Sequence, residues 1–288
     1  MSRSKRRVIA KETLEVLERG HYTSRSGNLV DIEEAQKDAV RNSKLYRPEG
    51  LPDLIGEAET ILNDRSGMST AVLEIREATT FYASRELEAE GCTGIACLNF
   101  ASAKNPGGGF LGGSQAQEEA LARASGLYPC LSANFDYYLS NRKLGGAVYS
   151  HHLIYAPEVP VIRDDNDELL DQLHTVSILT SPAVNVGALP KQRRTNKEMI
   201  REVMLERTEQ VLAVCLVNGH KTIVMGAWGC GVFRNNPKDV ASYFLHFLEP
   251  GGKYAHAFDR VIFAIPGFSS SLGNLKAFRE VFTEKNLG

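Results

Sequence analysis

Four short runs of the chain are apolar at nearly every position, and they constrain the fold more than any other feature of the sequence. They span residues 94–100, 176–179, 222–225 and 260–265. A strand that is apolar on both faces is covered on both faces, as in the middle of an α/β sheet. Long helical patterns separate some of these runs. This alternation predicts a mixed, largely parallel sheet between helical layers.

The first 70 residues have a different pattern, which predicts helices. Apolar residues at helical spacing stop at Gly20, and Asp31 with Glu34 has the spacing of a capping box. No sequence typical of a linker separates this part from the α/β pattern. We therefore predict an N-terminal helical extension over residues 1–70 and an α/β domain over residues 71–288.

The composition excludes several classes of protein. Of the 288 residues, 43% are hydrophobic and 24% are charged, which is ordinary for a globular chain and excludes disorder. No run of about 18 apolar residues predicts a membrane span, and the basic N-terminus lacks the apolar region of a secretory signal. The five cysteines lack the spacing of a disulfide framework, and a formal net charge of −2 does not favour nucleic acid. We expect a soluble cytoplasmic protein without membrane or nucleic acid as a direct partner.

Two of the predicted strands run into loops that are rich in glycine. The first loop covers residues 105–114 and the second covers residues 226–233. Their glycines are Gly107, Gly108, Gly109, Gly112, Gly113, Gly226, Gly229 and Gly231. Glycine permits positive φ and lets a ligand approach backbone N–H groups without a Cβ in the way. Because ligands of open α/β sheets bind beyond the carboxyl ends of strands, the two loops together predict a phosphate or diphosphate site.

Two familiar phosphate-binding motifs do not fit these loops. A P-loop requires a lysine followed by serine or threonine, whereas Ser114 and Gln115 follow the last glycine of the first loop. The spacing of its glycines also satisfies the dinucleotide fingerprint, but residues 127–138 lack the pattern of a second strand ending in an acid. For either loop alone, a tight turn without a ligand is the alternative.

Two adjacent carboxylates follow the first loop. Ser114 and Gln117 have capping-box spacing, which predicts a helix with Glu118 and Glu119 in its first turn. Acidic residues favour the positive end of a helix for structural reasons alone. Beside a bound sugar diphosphate, one such carboxyl group could also protonate a glycosidic oxygen and activate water. The positive end of a helix lowers the pKa of a carboxyl group, whereas a general acid needs a raised pKa. Burial under the ligand and the ligand's own negative charge would have to raise it. The residues alone leave both interpretations open.

The triplet Gly107–Gly108–Gly109, followed after seven residues by Gln117–Glu118–Glu119, resembles the signature of the poly(ADP-ribose) glycohydrolases. The chain is most similar to their shorter microbial type, and the resemblance extends from the N-terminal helices to the final strand. It implies a macrodomain-like fold and hydrolysis of ribose–ribose O-glycosidic bonds in poly(ADP-ribose), with release of ADP-ribose and without a metal or other cofactor. It also implies poly(ADP-ribosyl)ated proteins as partners in the DNA damage response. A non-catalytic ADP-ribose-binding macrodomain, a reader, is the alternative.

The resemblance also implies roles for individual residues. Glu119 would be the catalytic acid/base, Glu118 would bind ribose hydroxyls, and Gln117 would position the segment. Asn105 would contact the distal ribose, Glu77 would lie near adenine, and Phe233 would pack against the terminal ribose. The first loop would approach the ligand closely through Gly107, Gly108 and Gly109. The second loop would bind the diphosphate through Gly229, Cys230, Gly231, Val232 and Phe233.

Overall fold

A seven-stranded mixed sheet forms the centre of the protein in the computed structural model, which describes residues 1–65, 67–194 and 196–285. The strands are β1 (His21–Thr23), β2 (Leu29–Asp31), β3 (Lys44–Tyr46), β4 (Val72–Arg76), β5 (Ala96–Phe100), β6 (Leu153–Arg163), β7 (Leu169–Ser181), β8 (Thr222–Met225) and β9 (Arg260–Ala264). The order in the main sheet is β3-β6-β7-β5-β8-β9-β4. Neighbours from β7 to β4 pair in parallel, whereas β6 is antiparallel to both β3 and β7. The predicted mixed, largely parallel sheet is confirmed.

Helices cover both faces of this sheet. They are α1 (Arg3–Arg19), α2 (Glu33–Arg41), α3 (Leu51–Asp64), α4 (Thr80–Ala89), α5 (Gln117–Ala124), α6 (Leu127–Ala133), α7 (Asp136–Leu144), α8 (Lys191–Arg194), α9 (Lys197–Val217), α10 (Pro237–Leu248) and α11 (Leu272–Glu284). Successive residues of a strand point to opposite faces. Ala96 and Leu98 accordingly pack into the core under α3, α9, α10 and α11, and Cys97 packs into the core under α4, α6 and α7. Within the described ranges, no helix has the length and apolar character needed to cross a membrane.

The first 70 residues contain the predicted helices and also strands that the sequence pattern did not predict. Strands β1 and β2 form a separate antiparallel hairpin, and β3 pairs with β6 at the edge of the main sheet. A strand of three residues is too short to display a period of two, so its sequence carries no signal. Because β3 belongs to the main sheet, part of the predicted extension shares that sheet. The division at residue 70 stays a prediction.

The end of α1 agrees with its predicted position, whereas the start of α2 does not. Helix α1 ends at Arg19, and Gly20, in a left-handed conformation with φ +79°, is its C-cap. The predicted capping box at Asp31 is wrong, because Ile32 is the N-cap of α2. The Asp31 carboxylate instead accepts a hydrogen bond from the backbone N–H of Glu33 at 2.9 Å. The aspartate favoured a helix start near this position, but Asp31 is the last residue of β2 and pairs with His21, so the helix begins after it.

Both glycine loops begin at the same edge of the sheet, because they follow parallel strands. The first loop leaves the carboxyl end of β5 and the second leaves that of β8. Trp228 Nε1 donates to the carbonyl of Ser181, at the end of β7, at 3.1 Å. A Cβ on Gly226 would lie 3.0 Å from the ring of Phe100, at the end of β5. The two loops are therefore neighbours where open α/β sheets bind ligands.

Candidate active site

Gln117 fastens the start of α5 to the end of β5. Its Oε1 accepts from the backbone N–H of Phe100 at 2.9 Å, and its Nε2 donates to the carbonyl of Leu98 at 2.8 Å and to Thr80 Oγ1 at 3.1 Å. The capping box predicted between Ser114 and Gln117 is wrong, because no side chain caps this helix. The unpaired backbone groups at the end of the strand hold the amide instead. This bond pattern fixes where the two following carboxylates lie.

Glu118 points into the protein and is only 3% exposed. Its Oε1 accepts from Asn99 Nδ2 at 3.2 Å, and its Oε2 accepts from the backbone N–H of Ser102 at 2.7 Å. Burial raises the pKa of Glu118 to about 8, against the lowering effect of these hydrogen bonds, and the neighbouring charge of Glu119 raises it further. The buried carboxyl group is therefore largely protonated at neutral pH.

Glu119 faces the first glycine loop and is partly exposed. Its Oε1 accepts a hydrogen bond from the backbone N–H of Gly109 at 3.0 Å. Adjacent residues of a helix point about 100° apart, which explains why one carboxyl group is buried and the other lies against the loop. A Cβ on Gly108 would lie 2.5 Å from Glu119 Oε1 and 3.2 Å from Glu118 Oε2. The loop can approach both carboxyl groups because this residue has no side chain.

The first glycine loop begins with a tight turn at Asn105. The backbone N–H of Gly108 donates to the carbonyl of Asn105 at 3.0 Å, and Gly107 has φ +64°. Proline at the second position and a glycine with positive φ at the third are typical of a type II turn, and Pro106 and Gly107 occupy those positions. The turn leaves the side chain of Asn105 exposed.

The side chain of Asn235 joins the second glycine loop to the segment that follows β7. Its Nδ2 donates to the carbonyl of Val184 at 2.8 Å and to that of Gly229 at 3.1 Å. Gly229 has φ +72°, and a Cβ there would lie 2.5 Å from the Cβ of Ala183 and 2.6 Å from Asn235 Nδ2. The loop thus rests directly on the segment that follows β7, and it needs glycine at this point.

The rest of the second loop is open. Among the described residues, the backbone N–H groups of Gly231, Val232 and Phe233 meet no protein acceptor. Nothing lies within 4 Å of a Cβ built on Gly231, and Val232 is 76% exposed. Cys230 is mostly buried, and burial raises the pKa of its thiol, so it is not placed as a nucleophile. A row of unpaired N–H groups is the arrangement that binds a phosphate oxygen.

Two residues that sequence reasoning missed support this loop. The ring of Tyr149 lies 5.9 Å from that of Phe233, and Tyr149 has the unusual φ of +65°. Arg207, fully buried on α9, holds the adjoining chain by donating to the carbonyls of Val148, Tyr149 and Pro182 at 2.7–3.0 Å. Burial lowers the pKa of Arg207 to about 10. An arginine within a helical pattern has the signature of a solvated face, so its sequence carried no signal of this role.

Glu77 and Phe268 lie at the carboxyl ends of the neighbouring strands β4 and β9. The carboxylate of Glu77 packs on Gly267, so a side chain at position 267 would displace it, and it lies 3.6 Å from Arg279 Nη2. Phe268 is 60% exposed, so its aromatic ring is largely uncovered. Within the described residues, no group of His, Cys, Asp and Glu side chains could hold a metal ion.

Comparisons with known proteins agree with this geometry. The family model of the microbial-type PARG catalytic domain matches residues 10–164, which is more than half of the chain. The poly(ADP-ribose) glycohydrolase of Thermomonospora curvata is 43% identical, with a TM-score of 0.89 over 97% of this chain and 100% of that one. The enzyme of Deinococcus radiodurans, solved in complex with ADP-ribose, is 40% identical, with a TM-score of 0.77 over 86% of this chain and 97% of that one. No curated protein matches the chain.

One further solved structure is informative about ligands. The Thermomonospora curvata enzyme bound to the inhibitor ADP-HPD is 44% identical, with a TM-score of 0.88 over 96% of this chain and 99% of that one. The family model and these structures cover the sheet, the N-terminal helices and the segment with both carboxylates. The chain belongs to the microbial-type poly(ADP-ribose) glycohydrolases.

Proposed function

We propose that this protein hydrolyses the ribose–ribose O-glycosidic bonds of poly(ADP-ribose), releases ADP-ribose, and uses Glu119 as general acid and base. The observation that carries the assignment is the partly exposed carboxyl group of Glu119, held by the backbone N–H of Gly109 beside a loop of unpaired N–H groups. A module that only binds ADP-ribose has no need of a carboxyl group at that position. The relatives solved with ADP-HPD and with ADP-ribose support a ligand of this class.

The second glycine loop would bind the diphosphate. The N–H groups of Gly231, Val232 and Phe233 are free to donate, and a diphosphate offers acceptor oxygens along its length. Gly229, Asn235 and Ala183 hold the loop against the sheet, so little ordering is needed when the ligand binds. Phe233, supported by Tyr149, would pack against the ribose next to the diphosphate. Binding at this loop would bring the reacting carbon beside the carboxylates.

The chemical step needs one carboxyl group that gives and then takes a proton. As the bond between C1 of one ribose and the oxygen of the next breaks, Glu119 gives its proton to the departing oxygen. The ribose that remains develops oxocarbenium character. The Glu119 carboxylate then removes a proton from water, whose oxygen forms the new bond to C1. This path differs from that of the usual glycosidases, which use two carboxylates in separate roles.

Glu118 would orient the riboses. Because burial raises the pKa of Glu118 to about 8, this carboxyl group is largely protonated near neutral pH. A neutral Glu118 offers an O–H donor to a ribose hydroxyl. At the other end of the site, Glu77 and the exposed ring of Phe268 would contact adenine, with the acid accepting from the exocyclic amine.

The proposed partners are poly(ADP-ribosyl)ated proteins, which carry the polymer after DNA damage. The five cysteines are free, which favours the reducing cytoplasm as the site of action. A macrodomain-like arrangement is consistent with the mixed sheet and with a ligand site at its carboxyl edge.

The test is an incubation of the purified protein with poly(ADP-ribose) and a measurement of released ADP-ribose, beside Glu119→Gln. Glutamine can still accept from the Gly109 N–H but cannot transfer a proton. We expect release by the wild type and a loss of about 10³-fold in the variant, with nearly unchanged affinity for ADP-ribose by calorimetry. Glu57→Gln, an exposed glutamate on α3, is the matched control. Binding of ADP-ribose by wild type and Glu119→Gln alike, without any release, would identify a reader instead.

A further inference from the structure

The side chain of Asn105 is held by an arginine from another helix. Arg142, on α7, donates from Nη2 to Asn105 Oδ1 at 3.3 Å and from Nε to the carbonyl of Lys104 at 2.8 Å. The residues are 37 positions apart in the chain. One guanidinium group thus contacts two successive residues at the entrance of the first glycine loop.

Arg142 is itself supported by an aromatic ring. Its guanidinium carbon lies 5.2 Å from the centroid of the ring of Phe135, the N-cap residue of α7, about two helical turns earlier. The contact with the ring and the hydrogen bond to Lys104 together favour this orientation of the exposed arginine.

The orientation of the Asn105 amide follows from the chemistry of arginine. A guanidinium group has only donors, so the amide must turn its oxygen towards Arg142. Its nitrogen then points away, and within the described residues Asn105 Nδ2 has no protein acceptor. The backbone of Asn105 is fixed as well, because its N–H donates to Ser102 Oγ at 3.2 Å and its carbonyl accepts from Gly108 at 3.0 Å. The free N–H donors of the amide are thereby available to a ligand at the entrance of the first glycine loop.

We propose that Arg142 is a positioning residue, which holds the Asn105 amide so that Nδ2 donates to an oxygen of the distal ribose. The inference rests on the proposed function, since it deepens the role of Asn105 in that site. Without Arg142, an exposed asparagine would rotate freely and present oxygen or nitrogen to the ligand. The arginine therefore acts through Asn105 and does not itself contact the ribose.

The test is a double-mutant cycle with Asn105→Ala, Arg142→Ala and the double variant. We expect Asn105→Ala to weaken ADP-ribose binding about tenfold, as for one lost hydrogen bond in a formed site. Arg142→Ala should weaken it about fivefold, the cost of ordering one free side chain, and raise KM more than it lowers kcat. In the Asn105→Ala background, Arg142→Ala should have an effect of less than about twofold.

Two conservative variants separate orientation from charge. Asn105→Asp keeps an oxygen for Arg142 but replaces the free donor with an acceptor, so it should lose at least as much affinity as Asn105→Ala. Arg142→Lys keeps the positive charge but loses the planar fork, so it should resemble Arg142→Ala. An Arg142→Lys variant that binds like the wild type would instead mean that the charge alone attracts the anionic ligand, and the proposal would be wrong.

Equal losses from Arg142→Ala in both backgrounds would also overturn the proposal, because the arginine would then act independently of Asn105. Arg41→Ala, at an exposed ion pair with Asp38 on α2, controls for the loss of a surface arginine and should bind like the wild type. The thermal midpoint of each variant shows whether a loss reflects unfolding. Because the cycle is measured by ADP-ribose binding, it stands even if the wild type releases no ADP-ribose from polymer, which would contradict the proposed function alone.

Discussion

The two glycine loops use the same residue type for opposite purposes. In the first loop, a Cβ on Gly108 or Gly109 would strike a side chain of the protein, Glu119 in one case and Ser114 in the other. In the second loop, Gly231 faces open space and the adjoining N–H groups meet no acceptor within the described residues. The first loop is closed around the protein's own carboxyl groups, whereas the second is open to a ligand. Glycine leaves space for side chains of the protein in the first loop and for a ligand in the second.

The variant Gly108→Ala tests most directly whether the first loop fixes the position of the Glu119 carboxyl group. The added Cβ would meet Glu119 Oε1 at 2.5 Å in a backbone conformation, φ +60°, that disfavours side chains. Because the carboxyl group must then move, we expect kcat to fall by about 10³-fold, as when a general acid is displaced. Gly94→Ala is the matched control, since it has the same φ of +60° but open space around its Cβ. A normal kcat in Gly108→Ala would mean that the first loop does not set the position of Glu119.

The pH dependence of stability tests whether the buried carboxyl group of Glu118 is protonated in the folded protein. The pKa of Glu118 is about 8 in the folded protein and near 4.5 in the unfolded chain, so the folded state binds the additional proton between these values. The free energy of unfolding of the wild type should therefore fall by a few kcal/mol as the pH rises from about 5 to 8. Glu118→Gln lacks this proton and should be less sensitive to pH.

Urea unfolding at pH 5, 6.5 and 8 measures this difference. Relative to the wild type, Glu118→Gln should gain stability steadily with pH, and the gain should be largest at pH 8. Glu57→Gln, on the exposed side of α3, should follow the wild type throughout. Parallel pH profiles for wild type and Glu118→Gln would show that Glu118 is ionised in the folded protein.

Within the second loop, Gly229 and Gly231 should differ in their effect on binding. An alanine at position 229 would push against Ala183 and Asn235 with φ +72°, which would displace the loop. An alanine at position 231 would meet nothing within 4 Å. We expect Gly229→Ala to weaken ADP-ribose binding about tenfold and Gly231→Ala to change it by less than about twofold, by calorimetry. Equal effects would remove the reason for treating the loop as fixed at one end and open at the other.

The smallest effect is expected from α1, which supports the first loop from outside. Arg3 Nε donates to the carbonyl of Gly112 at 2.8 Å, and Arg6 Nε donates to that of Gly113 at 2.8 Å. Arg3→Ala removes one exposed hydrogen bond of about 1 kcal/mol, so kcat should fall by about two- to threefold. Lys5→Ala, on the same helix turn, is the control and should leave kcat unchanged. A larger loss would make α1 part of the catalytic machinery.

Local sequence patterns located most of the sheet and both loops. The sequences of β5, β8 and β9 are apolar at nearly every position, and the structure buries these strands on both faces. The apolar runs were therefore sufficient to predict them. None of the predicted apolar runs corresponds to strand β6, which contains Pro157 and Pro160, and proline is unfavourable inside a strand. Pro157 lies in an irregularity of the pairing with β7 between Ala156 and Val159, whereas Pro160 pairs with Thr175. This irregularity depends on the partner strand, so the sequence of β6 does not indicate it.

What the sequence determined by itself is the content of the site: glycines after two buried strands, and Gln117, Glu118 and Glu119 at the start of a helix. What only the tertiary structure decided is the use of these groups. Gln117 binds the end of β5 instead of capping its helix, burial raises the pKa of Glu118, and Arg142 turns the amide of Asn105. The physical reason is that composition and spacing act through neighbours in the chain. Desolvation and side-chain hydrogen bonds depend on groups that only folding brings together.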